Sequence, residues 1–273
     1  MDTQLVSLIQ RLANPAVMPM RSAELQQLAR MKTEVVTCGA YRSRVLINDT
    51  ASPQAKSVLL LHGWGGHPMM LCALQSVLHA CGYRVYTPFL LGHDPETPAG
   101  CELPAQPPLL LMMQARYGAF DSVVAHSAGG IITAMAHSQG FILNQVALLN
   151  APASLANLLQ RYLVLHRAAE HYLPLLGADF QRRYPMFADL QTCSPYAFSE
   201  ARVLIMQGLR DQRISPANAR QIQSQLPGSQ LHMIEDTGHL GILSHQPALQ
   251  TLARFLCANQ ADTAKGNTHA WAH

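Results

Sequence analysis

Charge is scarce in this chain. Only 13% of its residues are Asp, Glu, Lys or Arg, whereas 49% are hydrophobic. That balance excludes a disordered chain and points to a well-filled core. The basic excess is only +3, and Arg182-Arg183 is the nearest approach to a basic cluster, so neither a nucleic acid nor an acidic membrane surface is indicated as a partner. No apolar stretch is long enough to span a bilayer. The opening residues Met1 to Gln4 show no basic n-region followed by an apolar run, so neither a signal peptide nor a stable membrane anchor is expected. The six cysteines (Cys38, Cys72, Cys81, Cys101, Cys193 and Cys257) are scattered. They lack paired metal-type spacing and are expected to be reduced thiols. The thirteen histidines share no zinc-binding spacing, so no metal is expected. These absences together give the expectation of a soluble, cytoplasmic protein without internal repeats.

What is present is an alternation of apolar runs and amphipathic segments. Leu5, Leu8, Ile9 and Leu12 share one helical face that Pro15 and Pro19 terminate. This helix is expected to dock on the domain, with a membrane-surface or dimer contact as the alternative. A second helical piece, 22–31, leads into two strand-like runs, 33–37 and 41–47, with Gly39 between them, which reads as a hairpin. Val58 to Leu61 is a continuous apolar run, the mark of a strand buried on both faces. An amphipathic segment (69–80), a strand (84–87), a Pro- and Gly-rich loop to Pro108 and a short helix (109–117) follow. Further strands are expected at 122–124, 145–149, 202–206 and 230–234, with helices at 131–138, 216–226 and 246–258. Such alternation predicts an α/β fold, a mostly parallel sheet flanked by helices.

One segment interrupts the rhythm. About fifty residues separate Asn150 from Arg202, far more than a crossover requires. They carry helical patterns (Leu155, Leu158, Leu159, Tyr162, Leu163, then Tyr172, Leu175, Leu176) and aromatics at Phe180, Tyr184, Phe187 and Tyr196. The expectation is a helical cap inserted over the carboxyl edge of the sheet, between strands 6 and 7. The expected organisation is an N-terminal helical extension (1–32), a core in two pieces (33–151 and 200–260), a cap (152–199) and a polar tail (261–273).

The chemistry gathers at strand ends. Asp121 to Gly130 reads as strand, tight turn and helix with Ser127 at the apex. Ala125 and Gly129, two positions before and after, are small enough for strand and helix to approach closely. Taken alone, Ser127 also fits as a helix N-cap. Sites in open parallel sheets form outside the carboxyl ends of the strands. There the chain delivers His62-Gly63-Trp64-Gly65-Gly66, then Ser127, then Gly208-Leu209-Arg210-Asp211, then Thr237-Gly238-His239. Hydroxyl, carboxylate and imidazole arrive in the order Ser, Asp, His.

With these motifs the chain resembles the α/β-hydrolase superfamily, the serine-nucleophile, esterase- and lipase-like branch with an inserted helical cap, over about residues 33–258. That family usually has Gly where this chain has Ala125. The resemblance implies a catalytic set of Ser127, Asp211 and His239, with an oxyanion hole formed by the backbone N–H groups of Trp64 and Ala128. In that arrangement His239 takes the proton of Ser127, and Asp211 fixes the tautomer of His239. Trp64, His126, Gly63 and Gly65 are expected at the substrate, although His62 and His126 also read as structural. Asp236 is a rival carboxylate that reads better as a turn former, and Asn150, where some relatives carry the acid, bears no charge. The implied activity is acyl transfer to water from an ester with an apolar portion, without a cofactor. Thioesterases, C–C bond hydrolases, aminopeptidases, acyltransferases and lyases share the same residues, and a ligand-binding protein that has lost catalysis is the alternative of another class.

Overall fold

The computed structural model describes residues 2–50, 52–186, 195–198 and 200–257. Cys193, Phe187 and the polar tail fall outside them. Eight strands form one sheet: β1 (Lys32–Cys38), β2 (Tyr41–Asn48), β3 (Ser57–Leu61), β4 (Arg84–Pro88), β5 (Ser122–His126), β6 (Gln145–Leu149), β7 (Arg202–Gly208) and β8 (Gln230–Ile234). Their order is β1-β2-β4-β3-β5-β6-β7-β8. β2 runs antiparallel to both β1 and β4. Every other neighbouring pair is parallel. The hairpin turns at Gly39, whose φ of 58° is a conformation that glycine adopts without a Cβ penalty.

The continuous apolar runs have the expected cause. Successive side chains of a strand point to opposite faces, and here both faces are covered. Leu59, Leu61, Val123, Ala125, Val146, Leu148, Val203 and Ile205 enter one core with α4 (Pro107–Tyr117), α5 (Ala128–His137) and α8 (Ala217–Gln225). Val58, Leu60, Val124, Ala147, Leu149, Leu204 and Met206 enter the other with α3 (Cys72–Ala80) and α9 (Gln246–Cys257). Burial of each Val, Leu, Ile or Met side chain among them contributes about 1.5–3 kcal/mol. The segment expected as one helix over 69–80 begins with a 3₁₀ turn, Pro68–Leu71, before α3. Pro68 opens that turn, and Met69, Leu71, Leu74 and Leu78 are the buried apolar residues of the segment.

Two elements stand outside this frame. α6 (Leu155–Leu165) and α7 (Tyr172–Arg183) occupy the long segment between β6 and β7. Ser154 caps α6 by accepting the Asn157 N–H, and Arg183 pairs with Glu102 and Asp179, tying α7 to the 102–105 loop. α1 (Thr3–Ala13) is capped by Asp2 and lies against α7; α2 (Ser22–Leu28) follows it. Tyr162 Oη donates to Leu8 O at 2.8 Å, and Tyr172 Oη to Asp2 Oδ2 at 2.7 Å. The apolar face of α1 is spent inside the molecule: Leu8 is buried, and Leu5, Ile9 and Leu12 pack on the first core. Among the described residues no helix is long and apolar enough to cross a membrane.

Candidate active site

From β3 the chain moves to β4 on one side, then returns past β3 to β5 on the other. The crevice outside the carboxyl ends of β3 and β5 is therefore the topological switch point, where open α/β sheets hold their ligands. Ser127, directly after β5, has φ 54° and ψ −127°. Asn150, directly after β6, has φ 49°, and Asp236, two residues beyond β8, has φ 56°. Such backbones cost about 1–3 kcal/mol each in non-glycine residues and persist where the surroundings enforce them. At Ser127 the enforcement is visible. The Ser127 N–H donates to Leu149 O at 2.9 Å, and a Cβ added to Gly129 would lie 3.1 Å from the carbonyl oxygens of both Leu61 and His62. Ser127 forms no side-chain cap bond to α5, so the helix-cap explanation does not account for it.

His239 Nδ1 donates to Asp211 Oδ2 at 2.7 Å. The other carboxylate oxygen, Oδ1, accepts the backbone N–H groups of Arg213 at 2.7 Å and Ile214 at 2.9 Å. Burial opposes ionisation of Asp211, but the bond to His239 and the two N–H donors outweigh it and hold its pKa below the ordinary carboxylate value. The loop carrying His239 is fixed from two other strands. Asn150 Nδ2 donates to His239 O at 3.1 Å and Gly238 O at 3.2 Å, while its Oδ1 accepts Gly208 N–H at 2.8 Å. His126 Nε2 donates to His239 O at 2.9 Å. Asp236 is exposed and pairs with Arg210, away from His239.

The glycine-rich loop after β3 rests on two imidazoles. The Leu90 N–H donates to His62 Nε2 at 3.1 Å, which leaves His62 Nδ1–H to donate to Gly63 O at 2.9 Å. In the same way Gly65 N–H donates to His93 Nε2 at 3.0 Å, and His93 Nδ1–H faces Leu91 O at 3.0 Å. The His93 ring also meets the Trp64 ring edge-on at 4.6 Å. The two bonds in which Nε2 accepts a backbone N–H require a neutral ring. Burial pushes His62 far below its ordinary pKa, with His93 adding to the effect. Burial lowers His93 to about 4. His126 falls to about 3, through burial first and the neighbouring His239 second.

Acid should therefore destabilise the fold early. Below about pH 6.5 the unfolded chain protonates these three histidines, whereas the folded protein keeps them neutral. The unfolded state then binds more protons, so stability falls as pH falls, by about 1.4 kcal/mol per pH unit for each fully neutral histidine. Asp211 acts in a lower window, its contribution being lost only as pH falls through its depressed folded value. Urea unfolding between pH 7 and pH 5 checks this: His126→Gln should flatten the pH slope by about one proton, and an unchanged slope would exclude His126 as one of the three.

Ser127, Ala128, Trp64 and His239 all face one cleft of about 140 Å³. Leu155, Leu158, Leu159 and Tyr162 of α6, Phe180 of α7, Leu12 of α1 and Ile214 also line it. The helix at residues 3–13 thus belongs to the cleft wall, and Met18 N–H donating to Gly65 O at 2.8 Å ties the following strap to the glycine loop. The backbone N–H groups of Trp64 and Ala128 have no acceptor among the described residues. Gly63, Gly65 and His126, expected at the substrate, do not line the cleft. Their contacts explain the difference: Gly63 is pressed against Ser127, Gly65 is held by His93, and His126 is turned toward the His239 carbonyl.

The sequence profile of the alpha/beta hydrolase family matches residues 58–252. The chain belongs to that family. Solved structures with the same fold include a thermophilic esterase from Thermogutta terrifontis (18% identity, 83% of this chain and 98% of that one, TM-score 0.59). Others are a proline iminopeptidase-related protein from Thermus thermophilus (16%, 84% and 98%, 0.61) and a protein from a study of carboxylesterases of Nitrososphaera gargenis (14%, 85% and 100%, 0.57). Comparison with curated protein sequences finds no match.

In this alpha/beta hydrolase, two positioning residues escape a reading of sequence motifs. His93 follows β4, a strand end without a recognisable motif, and Asn150 is legible only as a missing acid. Their roles emerge from hydrogen bonds between segments 28 and 58 residues or more apart. The closeness of the glycine loop to the Ser127 turn has a measurable consequence. A Cβ on Gly63 would fall 2.8 Å from Ser127 Cβ, so Gly63→Ala should cut the rate of Ser127 modification by about tenfold or more, since misplacement near 1 Å has effects of that order. Near-normal modification of that variant would show that the loop yields freely.

Proposed function

We propose that this alpha/beta hydrolase is a serine esterase. The observation that carries the reading is the 2.7 Å His239–Asp211 bond beside a cleft that His239 shares with the strained Ser127. Ser127 Oγ attacks the ester carbonyl while His239 Nε2 removes its proton, and Asp211 stabilises the imidazolium that forms. The oxyanion lies against the N–H groups of Trp64 and Ala128, each such donor supplying about 3 kcal/mol in comparable sites. His239 then protonates the leaving alkoxide. A water, deprotonated by His239, attacks the acyl-enzyme, and the acid leaves as Ser127 recovers its proton.

Ser127 makes no hydrogen bond to His239 in the present structure, a separation common before substrate binds. The apolar walls favour an ester with a hydrocarbon portion, and a 140 Å³ cleft is small beside the roughly 300 Å³ of drug-sized sites. The chemistry calls for no cofactor. Esterase names among the structural relatives agree with ester cleavage, and the iminopeptidase-related one makes amides the comparison to run. Turnover of p-nitrophenyl esters from acetate to octanoate, beside matched thioesters and amino-acid anilides, tests the proposal. Faster turnover of short esters than of the other two is expected. Anilide cleavage without ester cleavage would replace it with a peptidase, and inertness toward all three would favour a binding protein.

A further inference from the structure

Apart from Ser127, His239 and Tyr162, the polar residues of the cleft wall are cations. Among the described residues no Asp or Glu side chain lines the cleft, yet two arginines do, Arg161 from α6 and Arg213 from the loop after β7. Elsewhere on the inserted helices arginines have carboxylate partners: Arg182 pairs with Asp179, and Arg183 with Asp179 and Glu102. Arg161 forms no ion pair or hydrogen bond with the described residues, and its Nε–H is both shut off from solvent and without an acceptor. Arg213 uses its backbone N–H on Asp211, while its side chain is exposed and unpaired among the described residues. The nearest carboxylate by chain position, Asp211, is already engaged by His239 and two backbone donors.

A guanidinium group on an apolar cleft wall without a carboxylate partner leaves its charge uncompensated, and an anion in the cleft would compensate it. The planar fork of arginine matches an oxyanion with two acceptor oxygens, and apolar surroundings strengthen the attraction. We propose that Arg161 and Arg213 form an anion subsite, so that the substrate is an ester whose short apolar chain ends in a carboxylate or phosphate. Leu155, Leu158 and Phe180 cover the chain, and the two guanidinium groups hold its charged end. This inference rests on the esterase reading for the bond cleaved but not for the anion bound.

The test separates the two. In Ser127→Ala, calorimetry compares monomethyl adipate and methyl 6-phosphonooxyhexanoate with uncharged dimethyl adipate. At least one anionic ester should bind about tenfold more tightly than the neutral one, the worth of a charge-assisted hydrogen bond, and the better arm identifies the anion. High salt should shrink that lead. Arg161→Met and Arg213→Met should each collapse the ratio of anionic to neutral binding, with Arg161→Lys retaining part of it; thermal melts show that the variants are folded. Neutral binding as tight as both anionic esters, or no measurable binding of either anion, would overturn the subsite. Wild-type turnover supplies the other arm: an anion preference in a protein that hydrolyses nothing would sink the esterase reading alone.

Discussion

Ser127→Ala is expected to lower kcat/KM for the best ester by at least about 10³-fold, the scale on which enzymes of this type lose activity without their nucleophile. The substitution removes one oxygen from the floor of the cleft, and that oxygen makes no cap bond to α5, so the thermal midpoint should hold. The turn itself is held by backbone bonds and by the close approach of Gly63 and Gly129, none of which the hydroxyl supplies. An active alanine variant would place the reacting group elsewhere. Ester turnover and a melting curve on the same preparation measure both halves of the statement.

Asp211→Asn should be almost as damaging, for a reason visible in the hydrogen bonds. Oδ1 of Asp211 accepts two backbone N–H groups, and Oδ2 accepts His239 Nδ1–H. An asparagine can satisfy the two backbone donors only with its carbonyl oxygen, which turns its NH₂ group toward His239. The imidazole must then accept at Nδ1 and carry its proton on Nε2, where it cannot take a proton from Ser127. A wrong tautomer of this kind costs about 10⁴ in kcat, while the overall geometry survives. A loss of less than about tenfold, with kcat preserved near neutral pH, would mean that His239 does not act as the base.

The sheet was readable because its chemistry is local and periodic. Val58 to Leu61 is apolar throughout since both faces are buried, and Gly39 marks the hairpin between β1 and β2. Ser127, Asp211 and His239 could be read as a candidate set because each follows a strand and parallel strands end at a common edge; Asp211 and His239 meet in a hydrogen bond, and Ser127 and His239 share a cleft. The support of the site was not readable. Asn150 bridges the ends of β7 and β8, and His93 reaches back to the loop after β3; each is a single polar residue in a loop, and its partner is decided by strand order. Gly63, Gly65 and His126, read as substrate contacts, each also have a partner within the protein that strand order decides. The cleft itself depends on α1, α6 and α7 coming together, which their amphipathic patterns signal only as apolar faces in search of cover.

The Ser127 hydroxyl is the group expected to become acylated. Intact-mass and peptide mass spectrometry after exposure to a fluorophosphonate measures this directly. The expected result is one adduct per chain, on the peptide containing Ser127, absent from Ser127→Ala and slowed in Asp211→Asn. A folded wild-type protein that remains unmodified, or an adduct that persists in Ser127→Ala, would contradict it.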